Sequence, residues 1–83
     1  MSRAYWLIQA KSGEESNLFK KIKELEGSMD SRVKIEALSR VSGRYDLITQ
    51  LAGNLSDIMD FVIEQKSKYK NLAYSETLPV LEE

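Results

Sequence analysis

The sequence contains no cysteine and no histidine. The first absence excludes disulfides and thiolate nucleophiles, and the second excludes an imidazole base. Together they remove the usual soft ligand sets for zinc, copper and iron–sulfur clusters, and no cofactor is expected. Neither sign of charge dominates: 12 Lys and Arg stand against 13 Asp and Glu, a formal net charge of −1 with the two signs interspersed. A nucleic-acid surface must neutralise several phosphates with clustered Lys and Arg. The densest basic stretches, Lys20-Lys21-Ile22-Lys23 and Lys66-Ser67-Lys68-Tyr69-Lys70, sit among Glu residues on expected helix faces and read as solvated, so no direct nucleic-acid partner is expected. No apolar run approaches the roughly 18–20 residues that span a bilayer, and Met1–Ile8 is too short for the apolar core of a signal peptide. No membrane partner is expected, and the expected location is the cytoplasm.

The 83 residues suit one domain, 1–83, without room for two independent cores. A chain of this size hides only about 60% of its surface on folding, so oligomerisation is an expected source of further stability.

What is present reads as alternating short strands and amphipathic helices. Ala4 to Lys11 is rich in aromatic and branched residues and ends at a Ser-Gly turn signal, so it predicts a strand with apolar residues on both faces. Ser12-Gly13-Glu14-Glu15 has the spacing of a capping box, predicting a helix over Glu14 to Glu26 with Leu18, Phe19, Ile22 and Leu25 on its core face and Gly27 as its stop. Beyond the polar link Ser28-Met29-Asp30-Ser31, Arg32 to Val41 alternates as a half-buried strand, with Val33, Ile35 and Ala37 on one side and Lys34 and Glu36 on the other. Ser42-Gly43 breaks it, and Tyr45 to Ala52 resumes, predicting a hairpin. Asn54 and Asp57 then cap a second helix, with Leu55, Ile58, Met59, Val62 and Ile63 on one face, running to about Lys68. Leu72 to Leu78 is a last strand, limited by Pro79.

The halves repeat at an offset of about 40 residues: Leu7-Ile8 with Leu47-Ile48, Leu18-Phe19 with Ile58-Met59, Ile22 with Val62, Leu38 with Leu78. This split βαβ pattern predicts a ferredoxin-like α+β fold, βαββαβ, with a four-stranded antiparallel sheet and two helices on one face. The first and third strands should be central. Two helices cover only one sheet face, yet both faces of these strands carry large apolar groups, which marks the uncovered face as an interaction surface.

Val41-Ser42-Gly43-Arg44-Tyr45-Asp46 is similar to the V-x-G-x-(Y/F)-D hairpin of the effector-binding C-terminal domain, the RAM domain, of Lrp/AsnC transcriptional regulators. Ser75-Glu76-Thr77-Leu78 resembles the T-x-T-L of its last strand, and the resemblance covers nearly the whole chain. Asn71-Leu72-Ala73 and residues 28–31 depart from the family's loops. With the first strand expected within a few residues of Met1, no helix-turn-helix domain is expected, and the resemblance is to stand-alone RAM proteins. It implies a homodimer formed through the sheets, assembled into a ring-like oligomer of dimers, with an amino-acid effector bound between neighbouring dimers. Transcription would be modulated through partners, helix-turn-helix Lrp/AsnC proteins among them, rather than by direct DNA binding.

The implied ligand site comprises Ser42, Gly43, Arg44, Tyr45, Asp46, Ser75 and Thr77. All but Ser42 have two readings. Gly43 either supplies only the positive φ of a hairpin or also lets a carboxylate approach the turn amides. Asp46 needs a donor, which is either a turn amide or Arg44, or else a ligand ammonium. Ser75 and Thr77 share one strand face, where their hydroxyls bind ligand together or make cross-strand contacts. Arg40 and Arg44 suit bidentate carboxylate recognition or ion pairing between subunits. Trp6, Tyr45 and Tyr74 are either ligand cradle or core and interface anchors. The chain is expected not to be an enzyme. The alternatives are a dimeric α+β barrel enzyme, disfavoured by the lack of histidine and of paired inward carboxylates, and a purely structural oligomerisation module.

Overall fold

The aromatic and branched residues at the start of the chain form β1 (Ser2–Ala10), followed by α1 (Glu15–Gly27), β2 (Val33–Arg40), β3 (Leu47–Gly53), α2 (Leu55–Lys68) and β4 (Leu72–Pro79). The structure, a computed structural model, describes residues 1–27 and 32–82. The expected loop departure at residues 28–31 lies outside the described residues. The four strands form one antiparallel sheet in the order β2-β3-β1-β4, so β1 and β3 are central and the fold is ferredoxin-like.

The period-two alternation of β1 sends Ala4, Trp6, Ile8 and Ala10 to one face, where they are buried with Leu47 and Leu51 of β3. Leu18 and Ile22 of α1 and Ile58, Phe61 and Val62 of α2 complete this core, so both helices cover the same face; of the residues expected on the core face of α2, Leu55, Met59 and Ile63 are exposed instead, and Phe61 takes the inward place. Trp6 has no exposed surface and meets the Phe61 ring edge-on, with centroids 6.1 Å apart.

Several local expectations are corrected. The box based on Ser12 does not form. The Glu14 amide donates to the Lys11 carbonyl at 2.9 Å, making a turn in which Gly13 takes a positive φ and Ser12 is used up. The helix begins only at Glu15, with the Leu18 amide donating to the Glu14 carbonyl, and the Glu15 carboxylate accepts from the Gly13 amide at 3.4 Å. Asn54 does stand at the N-cap of α2, but its side chain makes no capping hydrogen bond. In β2 an irregularity between Ile35 and Ala37 breaks the alternation. Val33 and Ile35 face the helices as expected. Ala37, however, pairs with Gln50 on the other face, and Leu38, opposite Thr49, takes the inward place.

The 40-residue repeat holds in the helices, where Leu18, Ile22, Ile58 and Val62 are all buried. It fails in the strands: Ile8 is buried, whereas Ile48, paired with Leu7, lies on the opposite face. The inward residues of β1 are even-numbered and those of β3 odd-numbered, and an odd slip exchanges the faces of a strand.

The face away from the helices carries Tyr5, Leu7 and Gln9 of β1, Ile48, Gln50 and Ala52 of β3, and Tyr74, Glu76 and Leu78 of β4. Tyr5 is 40% exposed, Leu78 43% and Tyr74 54%. Arg3 and Glu36 form an ion pair at 2.8 Å toward the β2 side.

Candidate functional site

The β2–β3 connection is tied down from both sides. The Val41 amide donates to the Asp46 carbonyl at 2.9 Å and closes the loop. Gly43 within it has φ +117°, a conformation that side chains disfavour, and nothing lies within 4 Å of where a Cβ would stand. The turn therefore needs glycine for its backbone, and the space above it is open. Ser42, Gly43 and Arg44 are exposed, and Arg44 makes no hydrogen bond or ion pair among the described residues.

Asp46 anchors the loop to the sheet. Its amide donates to the Ile8 carbonyl at 2.9 Å, and its Oδ2 accepts from the Ala10 amide at 2.8 Å. Because β3 begins only at Leu47, this carboxylate replaces the ladder carbonyl that Ala10 would otherwise meet. The protein donor for Asp46 is thus a β1 amide rather than the hairpin's own amides or Arg44. Its Oδ1 has no partner among the described residues. The β1–β4 register shifts at the same point, between Gln9 and Ala10.

Tyr45 reaches across the outer face. Its hydroxyl donates to Glu76 Oε1 at 2.5 Å, and its ring stacks on Tyr74 with centroids 6.4 Å apart and planes 20° from parallel. The hydrogen bond to Glu76, then desolvation and the charge of Glu76, raise the Tyr45 pKa above its ordinary 10.0, with Arg44 opposing. The folded state holds this proton more tightly than the unfolded chain. The stabilisation is therefore complete below the unfolded value and is lost as pH rises through the raised folded one. The expected result in alkaline titration, taken as wild type minus Tyr45→Phe, is a phenolate appearing above the ordinary tyrosine range. Glu76→Gln should return it toward that range, and an unmoved titration in Glu76→Gln would contradict the assignment.

Ser75 and Thr77 stand opposite Ile8 and Trp6, so both lie on the helix-covered face. Ser75 is buried with its Oγ unpartnered, and Thr77 is half-buried. Within one protomer the structure brings Tyr45 to Tyr74 and Glu76, the alternate residues of the same strand, and leaves the two hydroxyls on the other side. Glu76 lies inside the Ser75–Leu78 motif but is not among the site residues that the resemblance implies. The signal for it is the two-residue period: hydroxyls that face the helices turn their neighbours outward. Arg40 Nη1 donates to Ser16 Oγ of α1 at 3.3 Å, so it points to the helix layer rather than to the hairpin tip. Trp6 belongs to the core. Among the described residues no group of three or more Asp or Glu gathers as metal ligands do, and no helix is long and apolar enough to cross a membrane.

No protein-family model matches the sequence, and no curated protein matches it. Solved structures share the fold over the whole chain, and they include an AsnC family transcriptional regulator. TTHA0845 from Thermus thermophilus superposes with a TM-score of 0.80 at 20% identity, covering 100% of this chain and 96% of that one. The hypothetical protein PHS023 from Pyrococcus horikoshii gives 0.74 at 24%, covering 100% and 93%. An AsnC family transcriptional regulator from Agrobacterium tumefaciens gives 0.70 at 13%, with 99% of this chain matching 51% of the regulator. The chain therefore has the fold of about half of that regulator. At these identities the likeness establishes the fold.

Proposed function

We propose that the chain is an oligomeric, cytoplasmic regulatory module that binds an amino-acid effector at the Ser42–Asp46 hairpin. It acts through partners, helix-turn-helix Lrp/AsnC proteins among them, and carries out no chemistry of its own. The observation that carries this reading is a hairpin tied down at its base, by Asp46 on Ala10 and Tyr45 on Glu76, whose tip of Ser42, Gly43 and Arg44 is left open. A zwitterion needs donors for its carboxylate and an acceptor for its ammonium. The turn amides and Arg44 supply the first, and Asp46 Oδ1 or the Glu76 carboxylate the second. Ser75 and Thr77 face the helices of their own protomer, with Ser75 Oγ buried, so the reading rests on the hairpin rather than on these two hydroxyls. The apolar outer face, with Leu7 and Ile48 at its centre, supports a sheet-to-sheet dimer as the unit of assembly.

Thermal unfolding against the twenty amino acids tests the reading. A ligand at about 100 times its dissociation constant stabilises by roughly 2.7 kcal/mol, and each kcal/mol moves the midpoint of a domain this size by roughly 4–8 °C. One or a few amino acids should raise the midpoint by about 10 °C or more at that excess. A flat panel would favour a purely structural module.

A further inference from the structure

We propose that a lysine-lined groove at the end of the sheet near Ala10 is a second ligand site, separate from the hairpin, for a small molecule bearing two or more phosphate charges. The groove is open to solvent, has a volume of about 440 Å³ and is lined by Lys11, Glu14, Lys21, Lys68, Lys70 and Asn71. Its lysines come from four places: the end of β1, the α1 helix, the last residue of α2 and the turn before β4. In the sequence they belong to stretches balanced by glutamates. The fold selects from those stretches and concentrates four lysines against one glutamate, on a chain whose formal net charge is −1.

None of the four ammonium groups has an ion pair or hydrogen bond among the described residues. Glu14 forms no ion pair with them, and one of its oxygens accepts from Asn17 Nδ2 at 3.0 Å. Lys68 has a separate reason to be where it is, since a cation at the C-terminus of α2 favours the helix dipole, but that reason does not extend to Lys11 or Lys21. The floor is built. The Lys11 amide donates to the Asn71 carbonyl at 2.8 Å, joining two of the contributing segments. Asn71, which also lines the groove, is only 8% exposed, and its side-chain Oδ1 is buried without a hydrogen-bond partner. A multivalent anion relieves the mutual repulsion of the four ammonium groups.

The test is titration of the protein with inorganic pyrophosphate at constant ionic strength, followed by calorimetry and by amide chemical shifts. Saturable binding should shift the Lys11 and Asn71 amides. Lys21→Gln with Lys68→Gln should weaken it by about tenfold or more, and Lys34→Gln on β2 should leave it unchanged. Equal affinity in the double variant and the wild type, or shifts spread evenly over all surface lysines, would overturn the site. So would binding of a mixed-sequence oligonucleotide without binding of pyrophosphate, which would assign the groove to nucleic acid instead. The amino-acid response at the hairpin should persist in the double variant, which separates this site from the first.

Discussion

Leu7→Asp combined with Ile48→Asp should leave the chain monomeric at concentrations where the wild type is at least dimeric. The two residues pair directly across β1 and β3, at the centre of the face that neither helix covers. Burying a side chain of this kind contributes roughly 1.5–3 kcal/mol, and a two-fold interface counts each residue twice. The dissociation constant should therefore rise by at least about a thousandfold. Because the substituted side chains point away from the core, the far-ultraviolet spectrum should stay native. Sedimentation velocity on both proteins checks this, and a double variant that sediments like the wild type would contradict it.

Gly53→Ala should be the most destabilising single change outside the core. Gly53 sits at the end of β3, pairing with Ser2 of β1 and Val33 of β2, with φ +154°. A Cβ there would stand 2.5 Å from the Arg32 carbonyl oxygen and 3.5 Å from the Val33 Cα. Backbone on both sides is fixed by the ladder, so the clash cannot be relieved by a rotamer. Strained backbone and overpacking each cost roughly 1–3 kcal/mol, so the loss should be about 2–6 kcal/mol from a total of about 5–15. Gly13→Ala is the comparison: its φ is also positive, at +82°, but nothing lies within 4 Å of the added carbon. It should cost only the conformational strain, roughly 1–2 kcal/mol. Urea unfolding decides between them, and equal midpoints for the two variants would refute the steric account.

The contrast between these glycines shows where sequence reasoning stops. They stand at matching places in the repeat, and a turn signal is all that either displays. That Gly53 is pressed against Arg32 depends on β2 returning to lie beside β3, a contact between distant segments. The element order, the two central strands and the core face of α1 were legible because side-chain periodicity is local, as with Leu18 and Ile22; the face of α2 was legible only at Ile58 and Val62, because Leu55, Met59 and Ile63 lie outside the stripe that Phe61 completes. The irregularity that turns Ala37 outward was not, because alternation continues in the sequence through the residues where pairing slips. At the candidate site the hairpin was legible from Gly43 and its neighbours. The role of Asp46 was only half legible: a strand-leading carboxylate needs a donor, but that this donor is the Ala10 amide follows from β3 starting at Leu47, too late to complete the ladder opposite Ala10. Tyr45 meeting Glu76 likewise requires knowing that β1 lies between their strands.

Effector binding at the hairpin is the central claim, and calorimetric titration of the responsive amino acid into wild-type protein and Arg44→Gln tests it most directly. Arg44 is exposed and makes no hydrogen bond or ion pair among the described residues, so its replacement should leave the fold and the oligomer unchanged. A hydrogen bond to a charged group contributes roughly 1.5–3 kcal/mol, which corresponds to a loss of affinity of about tenfold or more. The account predicts saturable binding to the wild type and that loss in the variant. Equal affinity for both proteins, or no saturable heat with any of the twenty amino acids, would contradict it.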